Sequence, residues 1–125
     1  MIPGQLNLQV QAGNTFQSVL TWSTTPVGST TSTPVDLTGC TANMQVRQNY
    51  GDPVLLALSS TALTTNGSGI TLGGSAGTIT INITPLDAAA LISGIYDLEI
   101  QFSDGSIQTP VAGAVIVSPE VTVWP

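Results

Sequence analysis

Tyr96-Asp97-Leu98-Glu99-Ile100-Gln101-Phe102-Ser103-Asp104-Gly105 decides the fold class. Tyr96, Leu98, Ile100 and Phe102 alternate with Asp97, Glu99, Gln101 and Ser103. Successive side chains of an extended chain point to opposite faces, so this stretch puts one face in a core and the other in water. Asp104-Gly105 then predicts a hairpin with a type I′ turn, which needs positive φ at both central residues.

The same period runs outward in both directions. Leu6, Leu8 and Val10 alternate with Asn7, Gln9 and Gln11. Ala42, Met44 and Val46 alternate with Thr41, Asn43, Gln45 and Arg47, and Ile79, Ile81 and Ile83 alternate with Thr80 and Asn82. Shorter or more apolar strands are expected at residues 15–22, 54–58, 70–72, 114–117 and 121–124. The run at 114–117 has no polar break, which places it centrally or under cover on both faces. Glycine-rich turns at 12–14, 66–69 and 73–77 separate the strands. Short strands at spacings of about 8–12 residues predict an all-β, two-sheet antiparallel sandwich. Met44, Val46, Ile79, Ile81, Leu98, Ile100 and Phe102 form its expected core.

Two segments break the pattern. Residues 23–34 (STTPVGSTTSTP) are a Ser/Thr/Pro loop, too polar to pack on itself and expected at the periphery as a flexible excursion. Residues 85–92 predict one short helix: Thr84 as N-cap, Pro85 at its first position, Asp87 in the first turn and Gly94 as its stop. Leu86, Ala89 or Ala90, and Leu91 would cover one end of the core. At 125 residues the chain has the size of one domain, spanning 1–125.

Charge excludes several functions. Only 6% of residues are charged, against about 25% in an average domain. Arg47 is the single cation, there is no histidine, and the net charge is −6. A grip on phosphates needs several Lys or Arg, so neither nucleic acid nor an anionic membrane is an expected partner. A surface of Thr, Ser, Asn and Gln tolerates close contact with other subunits, because like charges are sparse. Cys40 has no second cysteine to pair with and is expected as a small buried apolar residue. No apolar run is long enough for a membrane helix, and Met1-Ile2-Pro3-Gly4 predicts no secretory leader.

Catalytic chemistry is poorly provided for. Without histidine, Ser-His-Asp and Cys-His arrangements are impossible, as are imidazole metal sites. Asp97 and Glu99 share a strand face about 7 Å apart, which reads as an ordinary polar face rather than a glycosidase pair. The Gly67–Gly77 stretch lacks a P-loop lysine. No catalytic, cofactor-binding or metal-binding residue is assigned, and no enzyme is expected.

Arg47 lies on the polar face of its strand, where a cross-strand carboxylate would fix register; Glu99 is the first candidate and Glu120 the second. Trp22 closes a strand and is expected to plug the sandwich. Trp124 suits either a partner anchor or self-packing. Edge strands usually carry guard charges, and lysine is absent here. Leu6, Leu8 and Val10 at one end and Val121, Val123 and Trp124 at the other are therefore the expected partner contacts.

The segment 35–47 (VDLTGCTANMQVR) resembles a "DLTG-x-TA-x-M-QVR" signature of small tailed-phage and prophage virion proteins. Further on, residues 70–72 (ITL), 77–79 (GTI), 94–100 (GIYDLEI) and 118–122 (SPEVT) follow the same family in the same order, and the opening 13–22 (GNTFQSVLTW) also fits. These proteins are similar to the N-terminal domain of siphophage upper baseplate proteins. The resemblance implies an immunoglobulin-like β-sandwich and a non-enzymatic structural role in the virion, assembled in the host cytoplasm. Its partners would be other virion proteins, with copies of itself in a homo-oligomer. A place in the tail, baseplate or neck is the first expectation; capsid decoration (a cement protein) and a host-surface carbohydrate-binding module are the alternatives. Within the signature, Asp36 and Thr38 are expected to bond local backbone around Gly39, and Tyr96 to pin a connecting segment with its hydroxyl.

Overall fold

Alternation from Tyr96 onward is a strand, and every other long alternating stretch pairs with its neighbours. The computed structural model describes residues 3–124. In chain order the strands are β1 (Gly4–Gln5), β2 (Leu8–Gln11), β3 (Phe16–Thr21), β4 (Ser23–Thr24), β5 (Thr33–Pro34) and β6 (Thr41–Arg47). Then come β7 (Val54–Ser59), β8 (Gly69–Leu72), β9 (Thr78–Ile83), the helix α1 (Pro85–Ala90), β10 (Gly94–Gln101) and β11 (Ile107–Ser118).

One sheet runs β1-β11-β10-β6-β7, with β2 also on β11; the other runs β3-β9-β8. Treating β1 and β2 as one strand, the pattern is A-G-F-C-C′ facing B-E-D, the strand logic of immunoglobulin-like sandwiches. The inner faces meet in one core. Val46, Ile81, Leu98 and Ile100 are fully enclosed, and Met44 and Ile79 are within 1% of it. Phe102 is only partly buried, tilted against Trp22 at 6.0 Å between ring centroids. Together the two rings cover one end of the core, as expected of Trp22. Cys40 is half-buried against the same core, and burial pushes its thiol pKa up.

The first strand departs from an all-antiparallel sandwich. β1 and β2 both run parallel to β11, with one register: Gly4 opposite Val111 and Leu8 opposite Val115. Between them the backbone leans over β11 at Gly113. A Cβ there would lie 2.2 Å from the Leu6 carbonyl oxygen, so only glycine admits the crossing. Alternating polarity cannot distinguish a parallel from an antiparallel neighbour, which is why the sequence did not show it.

Glycines hold all the positive φ angles among the described residues, so Asp104 does not form a type I′ turn. Gly105 donates its N–H to the Phe102 carbonyl and has φ +89°, the three-residue hairpin in which a tight turn precedes a left-handed glycine. The helix stops at Ala90 rather than running to Ile92 and Gly94, which opens β10 instead. Ala88 and Leu91 seal the core end, whereas Leu86 is 69% exposed. Thr84 is the N-cap residue, but its side chain makes no cap bond. Its N–H goes to the buried Ser68 hydroxyl.

Residues 23–34 are exposed throughout. Their ends pair as a short ribbon, Ser23 with Pro34 and Thr24 with Thr33, so the excursion has a stem. Residues 121–124 form no strand despite their composition.

Candidate functional site

Among the described residues no cluster of metal-ligating side chains forms, and backbone and apolar surface are left without a partner in places. Three such places stand out.

The first is the segment after β11. Gln11 donates its side-chain amide to the Ser118 and Pro119 carbonyls, and the Ala12 N–H bonds the Ser118 carbonyl. The chain is thus held to the sandwich up to Pro119. Beyond it Val121 is 100% exposed, Val123 72% and Trp124 85%. Two β-branched residues and a tryptophan favour a strand that packs on something, and here they touch water.

The second is the outer edge of β7. Ser60 donates its N–H to the Ala42 carbonyl, so Ala42 and Ser60 form a hydrogen-bonded pair. Bonded pairs alternate along an antiparallel ladder, which makes Met44–Leu58 and Val46–Leu56 bonded pairs and Gln45–Ala57 a non-bonded one. The N–H and C=O of Ala57 therefore point away from β6. Val54 and Leu55 are exposed beside it. Past Ser59 the chain turns across towards β8, so the open stretch is residues 54–57. From Pro53 through Leu86 the chain carries no charged residue, and β7, β8 and β9 all lie in this span.

The third is a trough of about 760 Å³ on the outer face of the large sheet. Ala112 and Ala114 give it a shallow floor, with Asp97 and Glu99 beside them and Tyr50 at one rim. Tyr50 is 93% exposed. It projects from the β6–β7 turn, which Arg47 braces: its guanidinium donates to the Asp52 carbonyl and, at 2.9 Å, to the Gln45 side-chain oxygen.

The expected partner contacts divide. Val121, Val123 and Trp124 are available, and Leu6 is partly buried against the core. Leu8 and Val10 are not available: they are 3% and 1% exposed, on the inner face of β2. The first strand does lie at a sheet edge, but its apolar side chains serve the core and Gln9 and Gln11 face out. The Arg47–Glu99 pair does not form either. Glu99 stands opposite Asn43 and Arg47 opposite Ile95, which separates them by about 13 Å along the strand.

No family model matches this chain, and no curated protein matches it.

Two of the expected structural roles hold. Asp36 accepts from the Thr38 N–H at 3.0 Å beside Gly39, and hydrogen bonding from the Thr38 side chain and backbone lowers its pKa. Tyr96 is 4% exposed and donates its hydroxyl to the Leu6 carbonyl. The hydroxyl of a tyrosine corner bonds backbone a few residues upstream; this one ties the first strand to the core. Tyr50 and the β7 edge escaped the sequence reading. The aromatic within Asn49-Tyr50-Gly51-Asp52, a turn too short to bury it, was the available signal.

Proposed function

We propose that this chain is a non-enzymatic structural subunit of a tailed-phage virion, in the tail, baseplate or neck, acting through contacts with neighbouring subunits. The observation that carries the proposal is the exposed segment 121–124, apolar and strand-prone but unpaired, launched from a fixed point at Pro119. The surface around it suits permanent assembly rather than catalysis. It has one cation, few charges and a long uncharged span. The ordered resemblance to small phage virion proteins supports the same reading, and the sandwich is the fold that the resemblance implies. Its partners are other virion proteins, including copies of itself.

The test is to purify intact particles, quantify the chain by mass spectrometry and locate it by cryo-electron microscopy. A copy number that is a small multiple of the tail symmetry, with density in the tail, neck or baseplate, is expected. A copy number on the scale of the whole capsid would move the subunit to head decoration. Absence from purified particles would overturn the proposal.

A further inference from the structure

The unpaired segment and the open edge fit each other. Residues 121–124 are four residues with strand propensity and no ladder; residues 54–57 are four residues of an edge, with a bulge at Leu55, and the outward groups of Ala57 have no ladder. They cannot meet within one molecule. In the sheet order, β10 and β6 lie between β11 and β7. A new strand outside β7 would sit four strand spacings from β11, about 19 Å. Three residues, from Ser118 to Val121, span at most about 11 Å. A pairing of residues 121–124 with the β7 edge is therefore a pairing between two molecules.

We infer that residues 121–124 of one copy add as a strand to the open β7 edge, residues 54–57, of the next copy. The inference rests on the structural-subunit reading only in using the same segment as its contact. Charge selects both the place and the direction. Copies carrying −6 each repel, and the charge-free span that contains β7 is where they approach at least cost. An antiparallel addition sets Val121 opposite Ala57 and Trp124 opposite Val54. Glu120 then falls beside Leu58, about 20 Å along the strand from Asp52. A parallel addition would bring Glu120 and Asp52 together. The Ala57 N–H and C=O would bond Val121, and Trp124 would cover the exposed side chain of Val54. Donor and acceptor are different surfaces of the chain, so the contact is head-to-tail and propagates to a ring or a row.

The test uses the full-length chain in a Cys40→Ser background. Ala57→Cys and Val121→Cys proteins are mixed under mild oxidation, with Ser103→Cys, on the exposed β10–β11 turn, replacing Ala57→Cys as the control. A hydrogen-bonded pair lies within disulfide reach. The expected yield of mixed dimer is at least about tenfold above the control, because pairing raises the local thiol concentration. Sedimentation should show concentration-dependent association, weakened roughly thirtyfold by Trp124→Ala. Ala57→Pro should abolish the association, since it removes the outward N–H; Leu55→Lys, made in the Ala57→Cys protein, should abolish the cross-link as well, and it replaces the proline variant if the melting curve shows that the latter is unfolded. Equal yields from both mixtures, or association unaffected by these variants, would overturn the inference. Loss of Trp124→Ala protein from particles without the cross-link would overturn this pairing alone. A strong cross-link in a protein absent from particles would overturn the virion reading alone.

Discussion

The Tyr96 hydroxyl donates a 2.8 Å hydrogen bond to the Leu6 carbonyl, joining residues 90 apart in sequence. It holds the first strand where the backbone crosses Gly113, between β1 and β2. Asn7 completes the crossing by accepting the Ala114 N–H at 3.1 Å.

Replacing Tyr96 by Phe leaves that carbonyl without its donor and should cost about 1–2 kcal/mol at neutral pH. A second readout separates this bond from simple packing. Burial pushes the Tyr96 pKa up to about 12, while the unfolded value is near 10. The unfolded chain therefore loses this proton first. Its contribution to stability is whole below about pH 10 and drains away as pH rises towards about 12. Urea unfolding across that window should show a flatter alkaline limb in Tyr96→Phe. An unchanged limb would mean that this hydroxyl does not titrate with unfolding.

Asp87 governs the acid side. Burial raises its pKa, but hydrogen bonds from Ser68, Thr64 and Asn66 together bring it below the ordinary value. The unfolded carboxylate takes up a proton first, so stability is present above about pH 4 and is lost as pH falls through that value towards the lower folded pKa. Asp87→Asn should cost about 1.5–3 kcal/mol near neutrality, because charge-assisted bonds to the 64–68 loop are lost. The penalty should shrink by about pH 3. Asp36 and Asp104, held low by Thr38 and Ser106, keep part of the acid limb in the variant. A penalty independent of pH would contradict the charge-assisted role.

Periodicity made the strands and much of the core legible, because a side chain's face depends only on its own position along an extended chain. Pairing is not local. Arg47 and Glu99 both sit on outward faces, as read, yet their separation depends on how β6 and β10 are aligned. Residues 121–124 have the composition of a strand, but a strand also needs a neighbour, and among the described residues none pairs with them. Leu8 and Val10 belong to an edge strand and still face inward, because edge position says nothing about side-chain direction. The proposed contact surface was therefore half legible: the exposed apolar segment could be read, and the open edge of β7 needed the sheet order.

Leu98 tests the register of the core. It is fully buried between Met44 on β6 and Val111 on β11. Leu98→Ala should cost about 2–5 kcal/mol, the lost transfer energy plus the cavity left behind. A chemical-denaturation loss below about 1 kcal/mol would mean that the strand presents its other face to the core.

Arg47 serves the β6–β7 turn through Asp52 and Gln45, with Glu99 about 13 Å away along the strand. Arg47→Ala should cost about 1 kcal/mol and quicken amide exchange at residues 48–53, because the turn loses its brace. Arg47→Lys should not restore protection, since one ammonium cannot reproduce the two-pronged contact of a guanidinium. Glu99→Gln should stay within about 0.5 kcal/mol of the parent, as a surface change away from any network. In a double-mutant cycle the Arg47 and Glu99 effects should add to within about 0.5 kcal/mol. A coupling above about 1 kcal/mol would restore the cross-strand pair and require a different alignment of β6 on β10.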